Sequence, residues 1–349
     1  MPLPSDMTAI EISAPGGPEV LTSARVPLPV PGPGDVLIRV AAAGLNGADL
    51  GQRRGGYNPP PDASPRLGLE ASGTIAALGA ATPGLELGAP VVALCNGGGY
   101  AEYVSVPASQ VLPLPASWSL PAGAALPETF FTVQQALVMR GGLAADHNVL
   151  IHGAAGGLGW AAIQMANVLG ARPIAVVGGP EKAAYAARMG AAAVIDHNAE
   201  DVVARTRELT GGKGADLILE MAGGDSLVRS IEAAAPDGHI ALVAALSGDA
   251  TPVQAGRLVM KRLTLAGTTL RPQSRATKAA LADALRATVW PALEAGRIHR
   301  PRIRALPLEQ ASRAHIEMER RDNYGKLLLL TAFGRELLAA DPDNSIELI

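Results

Sequence analysis

The run His152-Gly153-Ala154-Ala155-Gly156-Gly157-Leu158-Gly159 has the composition of a phosphate cradle. Ahead of it, Asn148-Val149-Leu150-Ile151 is a short apolar run of strand type. Behind it, Leu158, Ala161, Ala162, Met165 and Leu169 recur at helical spacing. A glycine-rich turn between a buried strand and a helix presents free amides and the positive end of the helix dipole to an anion. Gly156 lets the backbone approach a pyrophosphate, and Gly159 lets the helix pack on the strand. Ala154 stands where G-x-G-x-x-G has its first glycine, which weakens the bare motif, and an ordinary tight turn is the alternative. The strand, helix and second strand around it favour the nucleotide. Ala154, Ala155, Gly156, Gly157 and Leu158 are therefore candidate cofactor contacts.

The cofactor expected is NADPH. In NAD enzymes an Asp or Glu about 20 residues beyond the turn takes the ribose hydroxyls. The second strand here ends Val176-Val177-Gly178-Gly179, without an acid. A carboxylate there would repel a 2′-phosphate, and its absence at Gly178 leaves room for one. Lys182 follows within reach, although such a residue on its own is more often a solvated helix residue. Its neighbour Glu181 is contrary evidence, compatible with a weaker preference or use of both cofactors.

Earlier in the chain, Asn46, Asp49 and Tyr57 are polar groups on loops, placed to line a cleft. The alternative for Asn46 and Asp49 is to cap a short helix around Leu50. Prolines at 59, 60 and 61 stiffen the loop that carries Tyr57. Leu50, Leu69, Phe130 and Leu246 are candidate pocket walls, with Leu246 also a candidate cofactor contact. Each such residue is more often plain core.

These residues need two kinds of scaffold. From Met7 to about Leu112 the pattern is strands and loops, with strands expected over 36–40, 73–78 and 90–94 and another after the glycine turn at 97–99. Pro127 opens a helix to about Arg140. From residue 148 strands and helices alternate: strands over 149–151, 173–178, 193–195, 216–220 and 239–244, helices over 157–170, 181–189, 200–209 and 225–235. That is the βαβ signature of a doubly wound parallel sheet. Residues 263–268 make a sixth strand, 277–294 and 308–320 helices, and 327–330 a last buried strand returning to the first domain. The tail from Arg335 reads as partly loose. The fold class is α/β, with the parallel sheet beside a β-rich domain. At 349 residues the chain has bulk for two cores.

Composition removes several classes of function. A net charge of −3 gives no electrostatic case for nucleic acid or anionic membrane. No apolar run reaches the length of a membrane span. One cysteine, Cys95, excludes an intrachain disulfide and any multi-cysteine metal site, and reads as a half-buried strand-end residue. With no signal-peptide pattern at the N-terminus, the expected location is cytoplasmic.

Asp146 through Gly159 with Gln164 resembles the zeta-crystallin/quinone oxidoreductase signature of the medium-chain dehydrogenase/reductase superfamily. Gly44-Leu45-Asn46 with Asp49, Gly68-Leu69-Glu70, Gly99-Tyr100-Ala101-Glu102-Tyr103 and Asn323-Tyr324-Gly325-Lys326 fit it too. Gln52 through Pro61 is similar to a stretch of the tumour-suppressor-inducible quinone oxidoreductases. Asn167 departs from the residue usual at the end of the signature. The resemblance implies a GroES-like catalytic domain, 1–124 with 271–349, and a Rossmann NADPH domain, 125–270. It implies that Thr132 contacts the nicotinamide side and that Asn46 and Tyr57 line the substrate pocket. It also places His197 and Arg321 on the adenosine phosphate, and Asn323 among the cofactor contacts.

Zinc relatives carry a Cys where Asn46 stands and a His where Leu69 stands, so no metal is expected. Without a Lewis acid, hydride transfer suits an acceptor that delocalises the charge itself. A quinone is expected, with enone, enal or enoyl-thioester reduction as one alternative. An NADPH-binding stress or structural protein of weak activity is the other. The apolar strand at 263–269 would end the sheet, and related proteins pair it with its symmetry mate. A homodimer is therefore expected.

Overall fold

A strand covered on both faces has to be apolar throughout, which the runs at 149–151, 174–177 and 217–219 are. In the computed structural model, which describes residues 3–61, 63–246 and 250–349, these runs lie in one six-stranded sheet. Its strands are Asn148–His152, Arg172–Val177, Ala193–Asp196, Ala215–Glu220, Ala234–Leu242 and Thr264–Gly267, and every pairing is parallel. Numbered in chain order they lie 3-2-1-4-5-6. This is the Rossmann order, and it reverses direction between the first strand and the fourth. Ligands of such sheets sit outside the carboxyl ends at that reversal. Leu150, Ile174, Val176, Ile218 and Ile240 meet in the core. Helices Gly157–Val168, Pro180–Arg188, Val202–Leu209 and Gly224–Ala233 supply the crossovers.

This sheet belongs to one of two compact units, made of Thr132–Leu270 and Ala287–Pro301. The other comprises Met1–Phe131, Arg271–Arg286 and Arg302–Ile349. Its eight-stranded sheet is built around the long strand Asp35–Gly44, which pairs antiparallel with Glu70–Leu78, Tyr103–Pro107 and Lys326–Leu330. The return of 326–330 to the first part of the chain follows from its apolar sequence: all five residues are buried. A hairpin of Asp6–Ile12 and Leu21–Pro27 completes the β-rich unit.

Three local expectations change. The helix expected over 277–294 is two helices, Arg275–Thr288 and Trp290–Glu294. Pro291 has no amide to donate and crowds the carbonyl one turn back, so the first helix stops before it. The helix from Pro127 is α-helical only to Val133 and continues as a π-helix over Gln134–Met139. The tail is not loose. Thr331 caps the helix Ala332–Ala340 through the Gly334 amide, and Ile346–Leu348 adds a parallel strand beside Ile303–Pro307. Arg302 and Glu347 pair at 2.7 Å on that added edge.

Candidate active site

The glycine turn lies at the carboxyl end of the first parallel strand, where the strand order reverses. Gly153 takes φ +59°, and the Gly156 amide closes the turn on the Gly153 carbonyl at 3.0 Å. The helix then starts at Gly157. A Cβ on Gly159 would lie 2.4 Å from the Ala154 Cα, so this glycine is what lets the helix rest against the turn. A Cβ on Gly156 would meet only the Gly153 carbonyl oxygen, at 3.5 Å. The protein's own packing does not demand that glycine, whereas close approach by a pyrophosphate does. Amides of the first helical turn have no carbonyl one turn back to bond. The cradle therefore fits a dinucleotide.

Beside it, the ends of the second and third strands bring Gly178 and His197 together, and Lys182 follows on the helix Pro180–Arg188. A Cβ on Gly178 would come within 3.0 Å of His197 Nε2. Glu181 is exposed and Lys182 half-buried at the start of the helix Pro180–Arg188. The third strand contributes a residue that the sequence reading passed over. Asp196 accepts hydrogen bonds from the amides of Gly179 at 2.9 Å and Asn198 at 3.0 Å. Those two amides hold its carboxyl below the usual range. An acid thus stands at this edge after all, supplied by the neighbouring strand and turned onto the backbone. Aligning the ends of two parallel strands would have found it.

Under the turn, His152 and Glu220 end the first and fourth strands. Ser230 Oγ donates to Glu220 Oε2 at 2.6 Å and Ser226 Oγ at 3.0 Å, while Glu220 Oε1 accepts from the Ala222 amide at 2.8 Å. Burial depresses the pKa of His152, against the pull of the Glu220 carboxylate. Thr132, also in this unit, is buried just ahead of the π-helical turn. Leu246 is exposed, its amide donating to the Met221 carbonyl at 3.2 Å.

In the β-rich unit, Asn46 precedes the helix Gly47–Arg53, and its amide N–H donates to Asp49 Oδ2 at 2.8 Å. Its side chain turns elsewhere. Nδ2 donates to Glu70 Oε1 at 2.8 Å, and Oδ1 accepts from Lys326 Nζ at 2.7 Å. Lys326 and Glu70, both buried, pair at 2.5 Å, and Glu70 Oε2 accepts the Glu128 amide at 2.8 Å. Asp49 is fully buried. It takes the cap bond from Asn46, the Gly68 amide at 3.1 Å and the Tyr100 hydroxyl at 3.2 Å. Burial pushes its carboxyl up to about 6 against the pull of those amides. Capping is the role the structure gives Asp49.

Tyr57 is half-buried, with the Arg271 guanidinium 5.8 Å from its ring centre. Arg321 is exposed at φ +55°, and Asn323 bonds Arg304 and the Glu317 carbonyl. Phe130 and Leu69 are core, at 0% and 5% exposure. Cys95 is fully buried rather than half-buried, because it directly follows the central strand Pro90–Leu94. Burial raises its thiol well above the ordinary range. Among the described residues no group of three or more His, Cys, Asp or Glu is placed to hold a metal ion.

Sheet order, glycine turn and β-rich unit together define a dinucleotide-dependent dehydrogenase or reductase architecture. Residues 32–116 match the alcohol dehydrogenase GroES-like domain, and residues 157–286 match the zinc-binding dehydrogenase family. The quinone oxidoreductase of Pseudomonas aeruginosa is 33% identical over 329 residues, which cover 92% of this chain and 98% of that one. The Escherichia coli quinone oxidoreductase solved with NADPH superposes at a TM-score of 0.81 with 31% identity, covering 93% and 99% of the two chains. A structure described as an NAD-dependent alcohol dehydrogenase superposes at 0.82 with 32% identity, again covering 93% and 99%. The chain belongs to the quinone oxidoreductase family of the medium-chain dehydrogenases/reductases.

Proposed function

We propose that this chain is an NADPH-dependent quinone oxidoreductase that passes hydride to a quinone without zinc. The observation that carries the reading is the cradle at the strand reversal, with His197 against Gly178 and Lys182 on the helix that follows the second strand. In this reading the turn Ala154–Leu158 binds the pyrophosphate. Gly178 brings no carboxylate to repel the 2′-phosphate, and Lys182, His197 and Arg321 supply its polar and charged contacts, with Leu246 and Asn323 lining the same cofactor. Asp196 is bonded to two amides, so its charge is partly neutralised where it would otherwise oppose a phosphate. The structure solved with NADPH supports this choice, although the NAD-dependent neighbour shares the fold equally well. The proposed division is a catalytic part at 1–124 with 271–349 and a nucleotide part at 125–270, which differs from the compact units at 125–131 and at 287–301.

Bound NADPH supplies the hydride. The chain's own residues orient the acceptor and manage the proton. Thr132 is assigned to the nicotinamide side, and Asn46 and Tyr57 to the acceptor. The Asn46 amide is bonded at both ends by Glu70 and Lys326, so it acts as a fixed wall. Tyr57 Oη is assigned to hydrogen-bond the acceptor oxygen, and the proton follows from Tyr57 or from water. Zinc independence rests on the residues present: an amide at 46, a buried leucine at 69, and a thiol whose ionisation burial opposes. Cytoplasmic location belongs to the same reading.

The test is NADPH oxidation against a panel of quinones and enals before and after exhaustive chelation. Quinone turnover that survives chelation is expected. Turnover of enals alone would move the assignment to double-bond reduction, and stoichiometric zinc in active protein would refute the metal-free chemistry. We further propose a homodimer through the edge strand Thr264–Gly267, next to which Val259 and Met260 are 72% and 77% exposed. Light scattering should give twice the 35.6 kDa chain mass. A monomer would rule it out.

A further inference from the structure

Arg271 is a buried cation with neutral partners. It is 4% exposed, and its Nη1 donates to Gln52 Oε1 at 2.6 Å. Its Nη2 donates to the carbonyls of Ser64 at 3.2 Å and Asn96 at 3.1 Å. The Nε atom is buried without a hydrogen-bond partner, and among the described residues no carboxylate makes an ion pair with the guanidinium, while the buried Asp49 carboxylate acts on it from further away. Three separate pieces of chain, at 52, 64 and 96, thus converge on one side chain. Gly97 makes room for it: a Cβ there would lie 2.8 Å from Nη2. Lys278, itself 1% exposed, braces the arrangement by donating to the Arg271 carbonyl at 2.7 Å and to Asn96 Oδ1 at 2.5 Å.

Gathering carbonyls does not require a charge. A neutral donor would hold the same loops without the desolvation that a buried, unpaired guanidinium incurs. The ring that faces this charge is Tyr57, with Arg271 Cζ 5.8 Å from its centre. Tyr57 lies on the segment between Gln52 and Ser64, the two residues of that loop that Arg271 holds.

We propose that Arg271 is a positioning residue for Tyr57: it pins the loop and steadies the tyrosinate that forms when Tyr57 gives up its proton. The proposal rests on the proton-donor reading of Tyr57 above. As hydride adds to the acceptor, negative charge collects on the acceptor oxygen. The Tyr57 Oη–H bond breaks, the proton joins that oxygen, and the electron pair stays on Tyr57. Water then reprotonates the tyrosinate. Arg271 does not touch the acceptor. It lowers the free energy of the tyrosinate through the opposite charge that faces the tyrosine ring.

The experiment measures kcat and KM for quinone reduction in native protein, Tyr57→Phe, Arg271→Gln, Arg271→Lys and the two doubles with Tyr57→Phe. Tyr57→Phe should lower kcat. Arg271→Gln should lower kcat about tenfold at unchanged KM for NADPH. Arg271→Lys keeps the charge and should recover most of the lost kcat. In the Tyr57→Phe background neither Arg271 substitution should cost much further. An equal loss in both backgrounds, or an Arg271→Lys protein no better than Arg271→Gln, overturns the proposal while Tyr57 keeps its role. A Tyr57→Phe protein with native kinetics removes the donor reading, and this proposal with it. If Arg271→Gln does not fold, the Arg271→Lys pair decides by the same comparison of backgrounds.

Discussion

The turn from Gly153 to Gly159 and the surroundings of Asn46 are both proposed to bind reactants, yet they are built by opposite means. The turn uses backbone: a carbonyl–amide closure from Gly153 to Gly156, a left-handed Gly153 and a Gly159 pressed to 2.4 Å from its neighbour's Cα if given a Cβ. Asn46 is fixed by side chains from distant positions, with Glu70 on one strand and Lys326 on another. A backbone site tolerates almost any side chain that stays clear of it but no shift of the main chain. A side-chain site tolerates small shifts but not the loss of a charge.

That difference predicts how each region breaks. Lys326→Met leaves Glu70 as a buried, unpaired carboxylate, and the loss should be about 3–5 kcal/mol of stability. Urea unfolding measures it. A loss near zero would mean that Glu70 finds another proton or partner, and that the pair does not hold Asn46. Gly159→Ala should cost less stability, about 1–3 kcal/mol from overpacking against backbone. Its larger signature is an NADPH affinity weakened at least tenfold or so, because the helix amides are displaced from the cradle. Titration of cofactor fluorescence reads this directly, and native affinity would contradict the close packing assigned to Gly159.

The smallest effect is one of pH. His315 accepts from Arg53 at Nδ1, 3.2 Å away, so Nε2 carries the hydrogen, facing the Tyr100 hydroxyl at 3.4 Å. Burial, with Arg53 beside it, lowers its pKa from 6.5 to about 3. Between those values the unfolded chain binds a proton that the folded chain refuses, so stability falls as pH drops through the window. Asp49, raised from 3.8 to about 6, acts with the opposite sign: there the folded chain holds the extra proton, and stability falls as pH rises. The His315 window is the wider, so His315→Gln should flatten the acid-side loss of melting temperature. An unchanged acid slope would show that His315 is not buried neutral.

The same contrast explains what was legible in the sequence. The parallel sheet, its helices and the cradle were readable because each is local: a strand, a turn and a helix written in consecutive residues around 148–169. The late strand at 326–330 was readable from its apolar run. The tail was not, because Thr331 capping and the pairing of 346–348 with 303–307 depend on partners that composition does not reveal. Asp196 was missed for a related reason: it reaches the Gly178–Gly179 end only through the register of two strands. Glu70 and Lys326 stood in plain motifs, but their pairing spans most of the chain. Arg271 lay beyond the last parallel strand with no motif around it, and only the fold shows its three carbonyl and amide partners.

The central claim is that Gly178 and His197 at the strand ends, with Lys182 on the helix Pro180–Arg188, select a 2′-phosphorylated cofactor. The direct measurement is kcat/KM for NADPH and for NADH with one quinone, in the native protein and in Lys182→Ala. The account predicts that the native protein prefers NADPH. It also predicts that Lys182→Ala lowers kcat/KM for NADPH about tenfold while leaving that for NADH nearly unchanged. A native preference for NADH, or a substitution that weakens both cofactors equally, would contradict it.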